Sequence, residues 1–140
     1  MVEKLTQMYT AYYEKSQKVR REAPLFAGFL GLGSDPRKHP CHEEFYEAVE
    51  KEMAEFTASN PNSAEAAKVA RFLIEEPTKY REKDAFWFMY VCVGFVRPLV
   101  KMMEKEDCKA LAETMQALYN KKERMPVQLE TMKMLKKAGK

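Results

Sequence analysis

Ala85-Phe86-Trp87-Phe88-Met89-Tyr90-Val91-Cys92-Val93-Gly94-Phe95-Val96 is the stretch that decides the fold: twelve consecutive uncharged residues in a chain that is 32% charged. Phe86, Trp87, Phe88, Tyr90, Val91, Val93 and Val96 are good strand formers, so local propensity alone favours β structure. Two constraints outweigh it. A strand needs partners for its backbone groups, and no other segment of the chain reads as one. The run is also long for a strand and carries no internal turn signal. The segment Asp84–Glu104 is therefore expected to be a buried central helix, with Pro98 tolerated because its ring would crowd the carbonyl of Gly94, which has no Cβ. The apolar run is shorter than the ~18 residues that span a bilayer, and Arg97-Pro98 follow it, so a core element is expected and not a membrane span.

Around this centre the apolar residues recur with helical spacing. Val2, Leu5, Met8, Tyr9, Tyr12 and Val19 mark a first helix, expected to stop near Arg21–Ala23 because Pro24 disfavours helix in the residue before it. A second opens at Pro40, with a stripe of Phe45, Val49, Met53 and Phe56. Asn60-Pro61-Asn62-Ser63 breaks it and caps a third, with Asn62 or Ser63 as the cap and Ala66, Val69, Ala70 and Leu73 as the stripe. Asp107 is expected to cap a fifth helix carrying Cys108, Leu111, Met115, Leu118 and Tyr119. A basic C-terminal helix spans 126–140, opening at Pro126 with Leu129, Met132 and Leu135 inward and Gly139 at its end.

The reading is thus a single all-α domain over residues 1–140: five to six helices in one compact bundle around a central apolar helix. The caps Ser63 and Asp107 lie 44 positions apart, which admits an alternative, a short helical-hairpin stack of HEAT-like period. The length of 140 residues and the 46% hydrophobic content suit one globular domain and exclude collagen-like and disordered classes.

A formal net charge of +3 is too mild for a nucleic-acid binder, and no aromatic residue follows Tyr119 in the basic C-terminal block. The charges are segregated. Residues 41–60 hold six glutamates against Lys51, a local net of −5, whereas residues 121–140 hold seven basic residues against two glutamates, a local net of +5. Such blocks attract one another within the fold or between copies, or stand as solvated helix faces. Three cysteines imply no disulfide framework, and Met1–Gln7 lacks an apolar signal region, so a reducing, cytoplasmic setting is expected.

Chemistry has one place to concentrate. Pro24–Pro40 is expected to be a long loop containing Gly28, Gly31 and Gly33, with Leu25, Phe26, Phe29, Leu30 and Leu32 packing it down. It leads into His39-Pro40-Cys41-His42, which gathers both histidines and one cysteine within four residues. His39, Cys41 and His42 are candidate zinc ligands, since imidazole and thiolate are standard zinc donors. Cys41 is also a candidate reactive thiol, because a helix start and cationic neighbours favour the thiolate. The competing reading makes His39 a helix cap and Cys41 a small buried residue. No complete catalytic constellation is visible and no cofactor is implied. The expectation by elimination is a non-catalytic protein–protein interaction or scaffold protein, with self-association into a homodimer as one form. A metal or thiol site at residues 39–42 is the alternative.

Overall fold

The computed structural model describes the backbone of residues 1–30 and 35–140, and the side chains of residues 1–22 and 35–140. Six α-helices carry it: α1 (Val2–Leu30), α2 (Pro40–Ala58), α3 (Ser63–Glu75), α4 (Asp84–Val91), α5 (Lys105–Leu118) and α6 (Pro126–Ala138). Short 3₁₀ turns at Pro36–Lys38, Glu76–Tyr80 and Lys121–Glu123 join them, and no strand occurs among the described residues. The oily stretch is helical, as expected. Ala85, Phe86, Met89, Tyr90, Cys92, Val93, Val96 and Leu99 lie within the core cluster that also takes in Leu5 of α1 and Leu135 of α6.

The central helix changes type partway. After Val91 it tightens into a 3₁₀ helix over Cys92–Met102, eleven residues long with Pro98 inside. Runs of this kind rarely exceed three or four residues, and the sequence supplies the cause. Pro98 has no N–H to offer the Gly94 carbonyl, which an α-helix would require of it. Arg97 Nε donates to that carbonyl instead, at 3.2 Å. Together Asp84–Met102 run about 34 Å at the rises of the two helix types. The segment is long and apolar enough to cross a membrane by length and composition alone, but 56% of it is buried inside the protein.

This axis organises the rest. The Cys92–Met102 segment packs on α2, α3 and α6, elements from both halves of the chain. A hairpin stack would confine each unit to its neighbours in sequence, so the bundle is what forms.

Several boundaries differ from expectation. The loop expected over 24–40 is helical at both ends of the described part: α1 runs through Pro24 to Leu30, and Pro36–Lys38 form a 3₁₀ turn. Proline removes one backbone donor but holds φ near a helical value, and no second breaker comes before Gly28. The packing foreseen for Leu25, Phe26, Phe29, Leu30 and Leu32, and the conformations of Gly31 and Gly33, lie outside the described residues. Asn62, not Ser63, caps α3, accepting from the Glu65 N–H at 2.9 Å. Asp107 does not cap α5. The helix starts at Lys105, with Cys108 N–H bonded to the Glu104 carbonyl (3.1 Å), so Glu106 and Asp107 sit in its first turn, where the positive end of the helix favours them.

In α6 Leu129 points outward, 51% exposed, and the buried face is Gln128, Thr131, Met132 and Leu135. Gln128 takes the inward position because its Nε2 donates to the buried Tyr90 carbonyl at 2.7 Å, where α4 gives way to the 3₁₀ segment. The acidic helix α2 does not pair with the basic C-terminal block. Its Glu52 and Glu44 meet Lys4 (2.8 Å) and Lys15 (3.7 Å) of α1. Arg20 ties α1 to Asp84 at the start of α4 (2.6 Å).

Gly139 ends α6 in close approach to α5: a Cβ there would stand 2.8 Å from the Lys109 Cα and 2.9 Å from its backbone nitrogen. Because the obstacle is backbone, Gly139→Ala is expected to destabilise the fold by about 1–3 kcal/mol, the usual cost of overpacking. Chemical denaturation of the two proteins checks this, and equal midpoints would refute it.

Candidate functional site

The residues singled out by sequence fall at the start of α2, each held by a different local need. Asp35 caps the Pro36–Lys38 turn, accepting from the Arg37 N–H (2.9 Å) and gripping the Arg37 guanidinium with both carboxylate oxygens (3.1 Å each). That guanidinium holds the Asp35 carboxyl below its usual range. His39 caps α2: its Nδ1 accepts from the Cys41 N–H at 3.0 Å. Pro40 occupies the first helical position, where its missing N–H goes unneeded.

His42 lies two residues further and is 3% exposed. Its ring stacks on Phe88 of α4 (centroids 4.1 Å apart, 10° between planes) and meets Tyr12 of α1 edge-on. Tyr12 in turn stacks on Phe45 at 4.0 Å. The hydrogen bonds fix the tautomer. Nε2 lies 2.8 Å from the Pro36 carbonyl, which can only accept, so Nε2 carries the proton. In the neutral ring Nδ1 then accepts from the Tyr12 hydroxyl, 2.5 Å away. Burial pushes the Tyr12 phenol well up, which keeps that hydroxyl a donor. His42 thus pins α1, the Pro36–Lys38 turn, α2 and α4 to one another.

The three candidate ligands do not gather into a metal centre. His39 Nδ1 is spent on the helix cap and both nitrogens of His42 are committed. Among the described residues no group of three or more His, Cys, Asp or Glu side chains could hold a metal ion. Cys41 is 2% exposed, and burial raises its thiol, with Glu44 adding to the shift and Lys15 opposing it. The cationic neighbours expected to lower it do not prevail.

Directly above His42 lies an open groove of about 460 Å³, lined by Arg37, Lys38, His39, Pro40, Glu43, Tyr46, Phe88 and Val91. A second hollow, of about 380 Å³, continues along the same pair of elements, with Glu50, Ala54 and Thr57 of α2 facing Phe95 and Pro98. The Tyr46 and Phe95 rings, 5.3 Å apart, divide the two. The outward line of the central helix is Trp87 (51% exposed), Val91 (43%), half-buried Phe95 and exposed Pro98; Val91, Phe95 and Pro98 border the two hollows, and Trp87 lines a separate one with Arg81, Lys83, Asn120, Lys122 and Glu123. Trp87 and Val91, four residues apart, share a face of α4, and Phe95 and Pro98, three apart, share a face of the 3₁₀ segment.

Sequence reasoning missed this row. A segment that is apolar on every side gives no hint which face is left uncovered. The one available signal was Tyr46, an aromatic set among Glu43, Glu44, Glu47 and Glu50 on the polar side of α2.

The chain matches no protein-family model, and no curated protein or solved structure resembles it at a significant level.

All three thiols are buried and shifted upward by that burial, Cys92 from 9.0 to about 12. A raised thiol holds less thiolate at a given pH, so at pH 8 the Cys92 thiolate is far scarcer than in an ordinary cysteine. Native-state alkylation at pH 8 is therefore expected to be slow at Cys41, Cys92 and Cys108 alike, and to become fast in urea. Mass-resolved kinetics with iodoacetamide check it, and a Cys41 reacting at the rate of a free thiol would refute it.

Proposed function

We propose that this protein is a non-catalytic interaction protein and that the row Trp87–Val91–Phe95–Pro98, with the groove beside α2, is its binding face. The carrying observation is the exposure of Trp87 and Val91 on the very helix that supplies the core. Burying a tryptophan removes on the order of 200 Å² of apolar surface from water. With Trp87 51% exposed, folding alone forgoes about half of that gain, and a partner laid on the row collects it. The structural roles of the two histidines support the same reading, His39 Nδ1 capping α2 and His42 joining four segments. Three free, buried cysteines support a reducing compartment.

Trp87 is the only tryptophan of the chain, so its fluorescence reports this face alone. In the dilute protein, emission is expected near that of a half-solvated indole and open to acrylamide. It should shift to the blue and become shielded when a partner, or the protein itself at high concentration, covers the row. Two results count against the proposal: an indole already shielded in the dilute protein, or one that stays open under every condition in which the protein is found associated.

A further inference from the structure

The flanks of the row carry opposite charge. On one side stands α2, with Glu43 and Glu50 lining the two hollows and Glu47 exposed between them; Arg37, paired with Asp35, and Lys38 line the far end of the first hollow, so the acidic stretch runs from Glu43 to Glu50. None of the three glutamates forms an ion pair among the described residues. On the other side stands α6. Gln128 bonds the Tyr90 carbonyl, Val127 lies 3.0 Å from where a Gly94 Cβ would be, and Glu130 pairs with Arg97 at 2.8 Å. Those contacts set one edge of α6 along the central helix. Helical steps from Glu130 put Lys133, Met134 and Lys137 on that edge, all three exposed. Arg97 already neutralises Glu130, so the edge is basic, and Met134 keeps it partly apolar.

The face therefore reads acidic, apolar, basic from side to side. An acidic and a basic patch on either side of an apolar centre exchange places under a two-fold rotation whose axis lies in the face and passes between them. We propose that this face is the self-complementary interface of a homodimer, in which the α2 edge of each copy lies against the α6 edge of the other. The inference rests on the interaction reading above and adds the identity of the partner, a second copy of this chain. Within one copy the two charged edges cannot meet, because the central helix separates them; across the two-fold they meet twice. The apolar rows of Trp87 and Val91 then close on each other at the axis. An interface of this kind is isologous and stops at two chains, which distinguishes it from head-to-tail contacts that propagate into fibres.

The test is sedimentation equilibrium on the full chain and on three variants: Val91→Asp, the acidic-edge reversal Glu43→Lys/Glu47→Lys/Glu50→Lys, and the basic-edge reversal Lys133→Glu/Lys137→Glu. The wild type should form a dimer that weakens with added salt, since exposed charges are screened within about 10 Å at 0.1 M. Val91→Asp should be monomeric with an unchanged helical circular-dichroism spectrum. Each charge reversal should weaken dimerisation by about tenfold or more. Mixing the two reversals should restore it, as the reversed edges are then complementary again; recovery on mixing also shows that both variants are folded. A wild type that stays monomeric at its highest soluble concentration overturns the dimer, as do two reversals that dimerise like the wild type. If in either case Trp87 still becomes shielded on binding another protein, the interaction reading survives and only the choice of partner has failed.

Discussion

A nineteen-residue helix whose only charges are Asp84 near its start and Arg97 and Lys101 near its end cannot stand in water, and it has too little polar surface to lie on the outside of anything. Everything else in this molecule is arranged to wrap it. The helices α2, α3 and α6 pack directly on it, and its own residues supply the largest continuous part of the core. The wrapping is incomplete along one line, and that gap is where the molecule can act on others. Core and binding face are two sides of one helix, so what stabilises the fold also fixes the position of the exposed row.

The electrostatics follow the same economy. The acidic helix α2 lends Glu44 and Glu52 to α1 and keeps Glu43 and Glu50 on the groove, with Glu47 exposed between them. Exposed pairs of this sort contribute little individually, so their main effect is to orient surfaces. His42 works in the opposite regime. Buried, with a phenol and a carbonyl as partners and a phenyl ring against its face, it holds one tautomer and one orientation, and it rigidifies the junction from which the groove opens.

The helical pattern was legible wherever one face was apolar and the other charged. The stripes Phe45–Val49–Met53 and Ala66–Val69–Ala70–Leu73 are buried as the spacing demanded, and Pro40 and Pro126 open their helices. Legibility ended where tertiary contacts outvote local chemistry. Pro24 reads as a stop, yet one lost donor did not outweigh the helix continuing on both sides of it. Leu129 reads as core, yet Gln128 is inside because a buried carbonyl needed its amide. At the site, the cluster at residues 39–42 drew attention for its chemistry, and the structure has His39 cap α2 and His42 join four segments. The groove beside it was invisible because nothing in an all-apolar segment marks the face that neighbours leave bare.

The switch of helix type after Val91 sets the gearing of the whole central rod. Eleven residues at three per turn sweep about 1,300°, whereas at 3.6 per turn they would sweep about 1,100°. Uncoiling Cys92–Met102 into a regular α-helix would thus rotate its far end by more than half a revolution relative to α4. Leu99 and Val100 would swing out of the interior, and the Val100 carbonyl would leave the Cys108 thiol at the start of α5. A backbone nitrogen that lacks a hydrogen, at Pro98, therefore acts at a distance: it keeps the two ends of the rod in phase.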